Sequence, residues 1–426
     1  MTTLSPIAPT LAERFRREAI PFDPASPDSL AAAVAALVAS LGEGVEALGL
    51  GEPLHGGAEI LALRNRIFRC LVEAHGYSAI AVESSYPRSR LVNDYVAGRG
   101  AMTWEDVQDE GFSYGFRRLE GNRELVEWMR AHNADPAHGA PLRFYGFDSP
   151  TEMVGTDSPR QLLGVALDYL AGVDEALGQA HRERIAPLLG RDDAWRNPAA
   201  MLDPAQAVGR SPEATQLRIE TEELIATLKR KRPELVALSD RARYLEAEHC
   251  AASARGLLNY HTALATPSAD RTARLLGLRD AMMADNVEYI LACERGRGKV
   301  LVYAHNSHLQ CGPARWQLGP ELLTWQPVGA HLAERLSAEY AVIGCAVGAS
   351  EAQGIGQPEA GSLEALLIAA PGPARFVPTH RGQGLPTEEV AALATRSGSA
   401  ANSTYFPLTP QSLADFDWLL ALDSSA

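Results

Sequence analysis

The chain has 426 residues, a net charge of -14 and a pI near 5.3, a balance that excludes a basic surface for nucleic acid or for an anionic membrane and leaves small neutral or cationic ligands open. No apolar run reaches the roughly 18 residues needed to span a bilayer, and the first twenty residues lack a basic start followed by an apolar core, so a cytoplasmic protein is expected. Cys70, Cys250, Cys293, Cys311 and Cys345 are odd in number and scattered, which predicts neither a disulfide framework nor a paired-cysteine metal site.

The first informative stretch is "VEALGLGEPLHGGAEI" at 45–60. Residues 45–50 read as a buried parallel strand, and Glu52 and His55 follow among glycines. Over 57–75, Ile60, Leu61, Arg64, Ile67, Phe68 and Leu71 recur at helical spacing, with Gly76 as the stop. The apolar run 79–82 is a second strand and ends at Glu83; 119–132 predicts another amphipathic helix; 142–147 predicts a third strand, ending at Asp148.

From 151 to 295 the pattern turns helical, with long helix-forming stretches such as 161–189 and 213–230. Strands resume at 300–304, followed directly by His305, Asn306 and His308, and at 341–347. Pro- and Gly-rich punctuation at 350–386 predicts loops beyond the core. Strands alternating with helices predict an α/β fold, a central mostly parallel sheet flanked by helices. Residues 1–150 and 296–426 would form the core, and 151–295 a helical insertion over the C-terminal edge of the strands.

In an open parallel sheet the carboxyl ends of the strands share one edge, where ligands bind. Glu52, His55, Glu83, Asp148, His305 and His308 all follow apolar runs, so residues far apart in sequence are expected around one cleft, with Arg64 pointing back at it from two turns into its helix. Any one of them alone reads more readily as a solvated loop residue or a helix-end partner; their recurrence at strand ends is the argument for a site. Carboxylates beside histidines can hold an imidazole oriented and basic, as activation of water requires. An arginine or a second histidine can support an oxyanion.

Three rival chemistries share these residue types. "GFSYG" at 111–115 matches a nucleophile-elbow pattern around Ser113, but the acidic "WEDVQDE" precedes it where an elbow needs an apolar strand. Glu52, His55, His305 and His308 are zinc-type ligands, although E-x-x-H and H-x-x-H lack the helical i, i+4 spacing of a zincin. The same groups would also serve an elimination or cyclisation.

The segments "GEPLHGGAEILALRNRIFRCLVEAHGYSAIAVES", "FRRLEGNRELVEWMRAHN", "YGFD", "LRDAMMADN", "VLVYAHNSHLQ" and "VGAHLAERLSAEYAVIGCAVG" together resemble the erythromycin esterase family in order and spacing. The resemblance covers most of 45–350; it is looser over 151–270 and after 350, where substrate choice is expected to be set. It implies a hydrolase that opens a macrolactone or other bulky ester with water, without a metal, another cofactor or a covalent serine intermediate. It implies His55 as general base, Glu52 and Glu83 as its acidic partners, and Arg64, His305 and His308 as further polar lining. Asp148, Asn306, Arg279 and Asn286 are the expected substrate contacts. Leu54 departs from the family, which usually carries Thr between the Glu and the His.

Overall fold

The computed structural model describes residues 9–152 and 155–424. Its strands, in chain order, are β1 (Ile20–Phe22), β2 (Ala47–Glu52), β3 (Tyr77–Ser85), β4 (Arg143–Asp148), the short β5 (Thr151–Glu152) and β6 (Gly155–Thr156), β7 (Lys299–His305), the hairpin β8 (Ala314–Leu318) and β9 (Glu321–Trp325), β10 (Tyr340–Ala349), β11 (Ala374–Pro378) and β12 (Trp418–Ser424). Eight of them form one sheet in the order β1-β11-β12-β10-β2-β7-β3-β4. The six strands from β12 to β4 run parallel, and only the β1–β11 and β11–β12 pairings are antiparallel.

The central strands are apolar on both faces because helices cover both. On one face, Leu61, Ile67, Phe68 and Leu71 of helix Ala58–His75 and Leu125 and Met129 of helix Glu120–Ala134 pack on Leu48, Leu50, Ile80 and Leu301. On the other, Met283, Ala284, Val287 and Ile290 of helix Arg271–Glu294 pack on Ala79, Ala81, Val300 and Val302. Helix Ala58–His75 ends as expected at Gly76, in the left-handed conformation that glycine adopts without strain.

The helical segment builds an apolar cluster of its own from Leu163, Leu170, Leu217, Leu224, Tyr244 and Leu257, joined to the sheet domain through Tyr86. Helix Arg271–Glu294 belongs to two neighbourhoods. Its C-terminal half lies on the sheet, while Leu275 near its start packs with Tyr260 and Leu264 of the helical segment.

Two expectations of local structure need correction. The stretch 161–189 is not continuous: Asp174 closes helix Arg160–Val173, and its side chain accepts from Leu177 N to cap helix Glu175–Ile185. The region 350–386 is not only loop, since it contains helix Leu363–Ile368 and β11. Prolines mask β11 in the sequence, yet the one inside it, Pro378, is its last residue and lies beyond the β1 pairing, which ends at Phe376.

The five cysteines are free. Among the described residues no helix is long and apolar enough to cross a membrane.

Candidate active site

The sheet order makes β2, β7 and β3 neighbours, so Glu52, His305 and Glu83 emerge side by side at the C-terminal edge. The β2–β7 register sets Leu50 opposite Tyr303 and Glu52 opposite His305. Strand alternation puts all four side chains on the face covered by helix Ala58–His75.

A buried carboxylate must be hydrogen-bonded to be tolerated, and Glu52, 1% exposed, has two partners. One oxygen takes His55 Nδ1 at 2.6 Å and the other takes the Tyr303 hydroxyl at 2.5 Å. After His55 the chain turns through Gly56, whose φ of +79° suits glycine, into the helix. The His55 ring meets the edge of Phe116 and leans on His305 with centroids 5.0 Å apart, and its backbone N–H donates to Thr404 Oγ1 at 2.9 Å. Its side chain is 33% exposed. With Nδ1 on Glu52, Nε2 is the ring nitrogen left over. Burial works against the imidazolium of His55, but the charges of Glu83 and Glu52 and the Glu52 hydrogen bond outweigh it and raise the pKa above the usual value.

The opposite wall is closed. Glu83, 5% exposed, accepts His305 N–H at 2.8 Å on one oxygen, while the other lies 3.3 Å from His308 Nε2 and 3.4 Å from Arg279 Nη2. Arg279 grips Asp148 with both forks, at 2.9 and 2.7 Å. His308 Nδ1 lies 2.5 Å from one oxygen of Asp280, whose other oxygen accepts Trp325 Nε1 from the hairpin at 2.5 Å. Burial opposes a charged His308, yet Asp280 and Glu83 push its pKa up to about 10. Burial likewise opposes a charged Glu83, but His308 and His55 hold it well below the carboxylate range.

The residues expected at the cleft divide into two groups. Glu52, His55, Glu83, Asp148, Arg279 and His308 do gather there. His305 is at the cleft, but its nitrogens are taken: Nε2 meets the Thr404 carbonyl at 2.7 Å and must donate, and Nδ1 accepts from Ser307 N–H at 3.2 Å. Burial, reinforced by His55, pushes its pKa down to about 3, so it is a neutral wall and not the oxyanion support that was expected.

Arg64 does reach the same acids, but its donors are engaged. Its guanidinium donates to Asn65 and Asn122 side chains and to the Gly121 carbonyl, and lies 4.8 Å from the Tyr303 ring centre. Together with Glu52, Glu83 and Tyr303 it lines a hollow of about 10 Å³, which has room for about one water molecule.

Asn306 and Asn286 do not present themselves to a ligand. Asn306 exchanges hydrogen bonds with the backbone of Cys345, donating at 2.7 Å and accepting at 3.0 Å, and so ties β7 to β10. Asn286 donates to the Phe147 carbonyl at 2.8 Å and meets His249 Nε2 at 2.7 Å. Ser113 is buried and its hydroxyl accepts from Ser85 N–H, an anchoring role. Leu54 packs with Ile60, Val347, Ile355 and Tyr405, so this position faces an apolar cluster and not the cleft. Among the described residues no group of three or more His, Cys, Asp or Glu side chains is arranged to hold a metal ion.

Four contributors escaped the sequence reading: Tyr303, Asp280, Trp325 and Thr404. Tyr303 had a usable signal, because it stands two residues before His305 and therefore on the same strand face. Asp280 directly follows Arg279 but was hidden in a helical stretch, and Thr404 meets His55 from 349 positions away with no local signal.

Residues 72–425 match the family model described as Erythromycin esterase. That span includes Glu83, Asp148, Arg279 and His308 and begins after Glu52, His55 and Arg64. Erythromycin esterase type I of Escherichia coli is 25% identical over 316 residues, 71% of this chain and 70% of that protein. Among solved structures, a Bacillus cereus protein superposes with a TM-score of 0.73 at 19% identity over 97% of each chain. A mutant of the erythromycin esterase EreC in its open conformation gives 0.62 at 20% identity, over 92% of this chain and 93% of that one.

Proposed function

This chain belongs to the erythromycin esterase family, hydrolases that act on esters, and we propose that it cleaves a macrocyclic lactone or another bulky ester with water activated by His55. The observation that carries the reading is the His55–Glu52 contact of 2.6 Å on a ring that is still 33% exposed. Donation of Nδ1–H to Glu52 fixes the tautomer and leaves the Nε2 lone pair for a water proton.

The resulting hydroxide attacks the ester carbonyl and gives a tetrahedral oxyanion. Collapse breaks the acyl carbon–oxygen bond, and the proton held on His55 Nε2 passes to the departing alkoxide, leaving acid and alcohol. On the opposite wall Arg279 and His308 offset the charges of Glu83, Asp148 and Asp280, and Arg279 Nη1, left over from those contacts, is the donor for the developing oxyanion. Glu83, kept ionised between them, is an acceptor that aligns the water. A single displacement of this kind involves no covalent enzyme intermediate, and the partner is a small-molecule ester.

The test is a screen of macrolides and unrelated lactones read by product mass. Hydrolysis adds one water to the substrate. A product of unchanged mass, or one lighter by a water, would instead assign the pocket to a cyclase or lyase. Activity that survives exhaustive chelation is expected; activity lost to chelator and restored by a divalent metal would overturn the metal-free mechanism.

A further inference from the structure

We infer that Tyr303 is a positioning residue for this reaction: from the neighbouring strand, its hydroxyl governs how strongly Glu52 holds the proton of His55. The inference rests on the reading of His55 as the base.

Three observations carry it. Tyr303 and His55 occupy different oxygens of the same carboxylate, at 2.5 and 2.6 Å. Tyr303 is 4% and Glu52 1% exposed, so bulk water does not compete for either contact. The ring is fixed in place by Arg64, whose guanidinium lies 4.8 Å from its centre. Burial, and then the charge of Glu52, hold the phenol well above its ordinary pKa, so it remains a donor.

A donor on one carboxylate oxygen draws charge away from the other. With Tyr303 present, Glu52 therefore orients His55 without retaining its proton too firmly; without the hydroxyl, the full charge of the carboxylate bears on Nδ1–H and His55 becomes more basic. The other charged or titratable groups facing this pair are Arg64 from helix Ala58–His75, Cys345 from β10, Glu83 from β3, and His305 and His308 at the end of β7. Tyr303→Phe leaves all of them in place.

The experiment combines a histidine NMR titration with the pH profile of kcat/KM in the full-length protein. Tyr303→Phe should raise the His55 midpoint by about half to one unit, and depress kcat/KM on the acid side about three- to tenfold more than on the plateau. A ring-fluorinated tyrosine at 303, a stronger donor of nearly the same shape, should move the midpoint down; it decides the question if the Phe variant does not fold. In a Glu52→Gln background the midpoint should not respond to either change. A midpoint unmoved by both changes, or moved equally in the Glu52→Gln background, overturns the inference. If His55→Ala retains its activity, the base assignment falls, while the NMR midpoint still reads the coupling to Tyr303.

Discussion

His55 and His308 stand on the same sheet edge, each against carboxylates, and behave as opposites. His55 has one carboxylate on Nδ1 and a third of its side chain open to the cleft. His308 has a carboxylate at each nitrogen, Asp280 at 2.5 Å and Glu83 at 3.3 Å, and is 7% exposed. One carboxylate orients an imidazole and leaves it free to take and release a proton. Two buried carboxylates convert it into a standing charge, because an imidazolium is what neutralises them. Residue type therefore does not distinguish base from counter-ion; the number of carboxylates held by the ring nitrogens does, since His305, with both nitrogens occupied but neither on a carboxylate, stays neutral.

The strongest way to break this contrast is His55→Ala, expected to lower kcat/KM by about two to four orders of magnitude with the melting temperature nearly unchanged. Near wild-type turnover in that variant would remove His55 from the mechanism. His308→Gln should act the other way round, on stability first. It leaves Glu83 and Asp280 buried without their cation, at a cost of about 3–5 kcal/mol, visible in denaturant unfolding. A variant as stable as wild type would mean that the closed wall is not held by charge.

Proton linkage sharpens the difference further. The His308 pKa rises from about 6.5 unfolded to about 10 folded, so its contribution to stability is complete below about pH 6.5 and is lost as the pH climbs through about 10. Glu83, depressed in the fold, contributes above its ordinary carboxylate range and loses that contribution on acidification. Catalysis should respond to His55 instead: kcat/KM falls as the pH drops through a midpoint above about 6.5. A rate flat from about pH 5 to 9 would contradict a histidine base. The smallest effect on turnover is expected for Asn306→Ala, which should lower stability by about 1–3 kcal/mol by orphaning the Cys345 backbone while kcat/KM stays within a few-fold of wild type. A large loss of turnover without loss of stability would return Asn306 to the substrate contacts.

The central strands were legible in the sequence because β2, β3, β7 and β10 are buried on both faces and read as unbroken apolar runs. β11 was not, because prolines crowd it and its pairing partner β12 lies forty residues further along. Within the site, the acids and histidines directly after strands stood out because a charge there needs a reason. Whether such a residue faces a ligand or its own backbone was not legible. Asn306 and His308 are two positions apart in one short helix, and only the Cys345 backbone on one side and Asp280 on the other separate a structural tie from a cleft charge. Arg64 was placed near the cleft by helical spacing, but the Asn122 and Gly121 acceptors that occupy it come from another helix.

The most direct measurement is one NMR titration that follows both histidines in the folded protein from about pH 5 to 9. The account predicts that His55 titrates inside that window, at a midpoint above the ordinary histidine value, while His308 stays protonated throughout. Two histidines that titrate together, or a His55 that never changes charge, would contradict it.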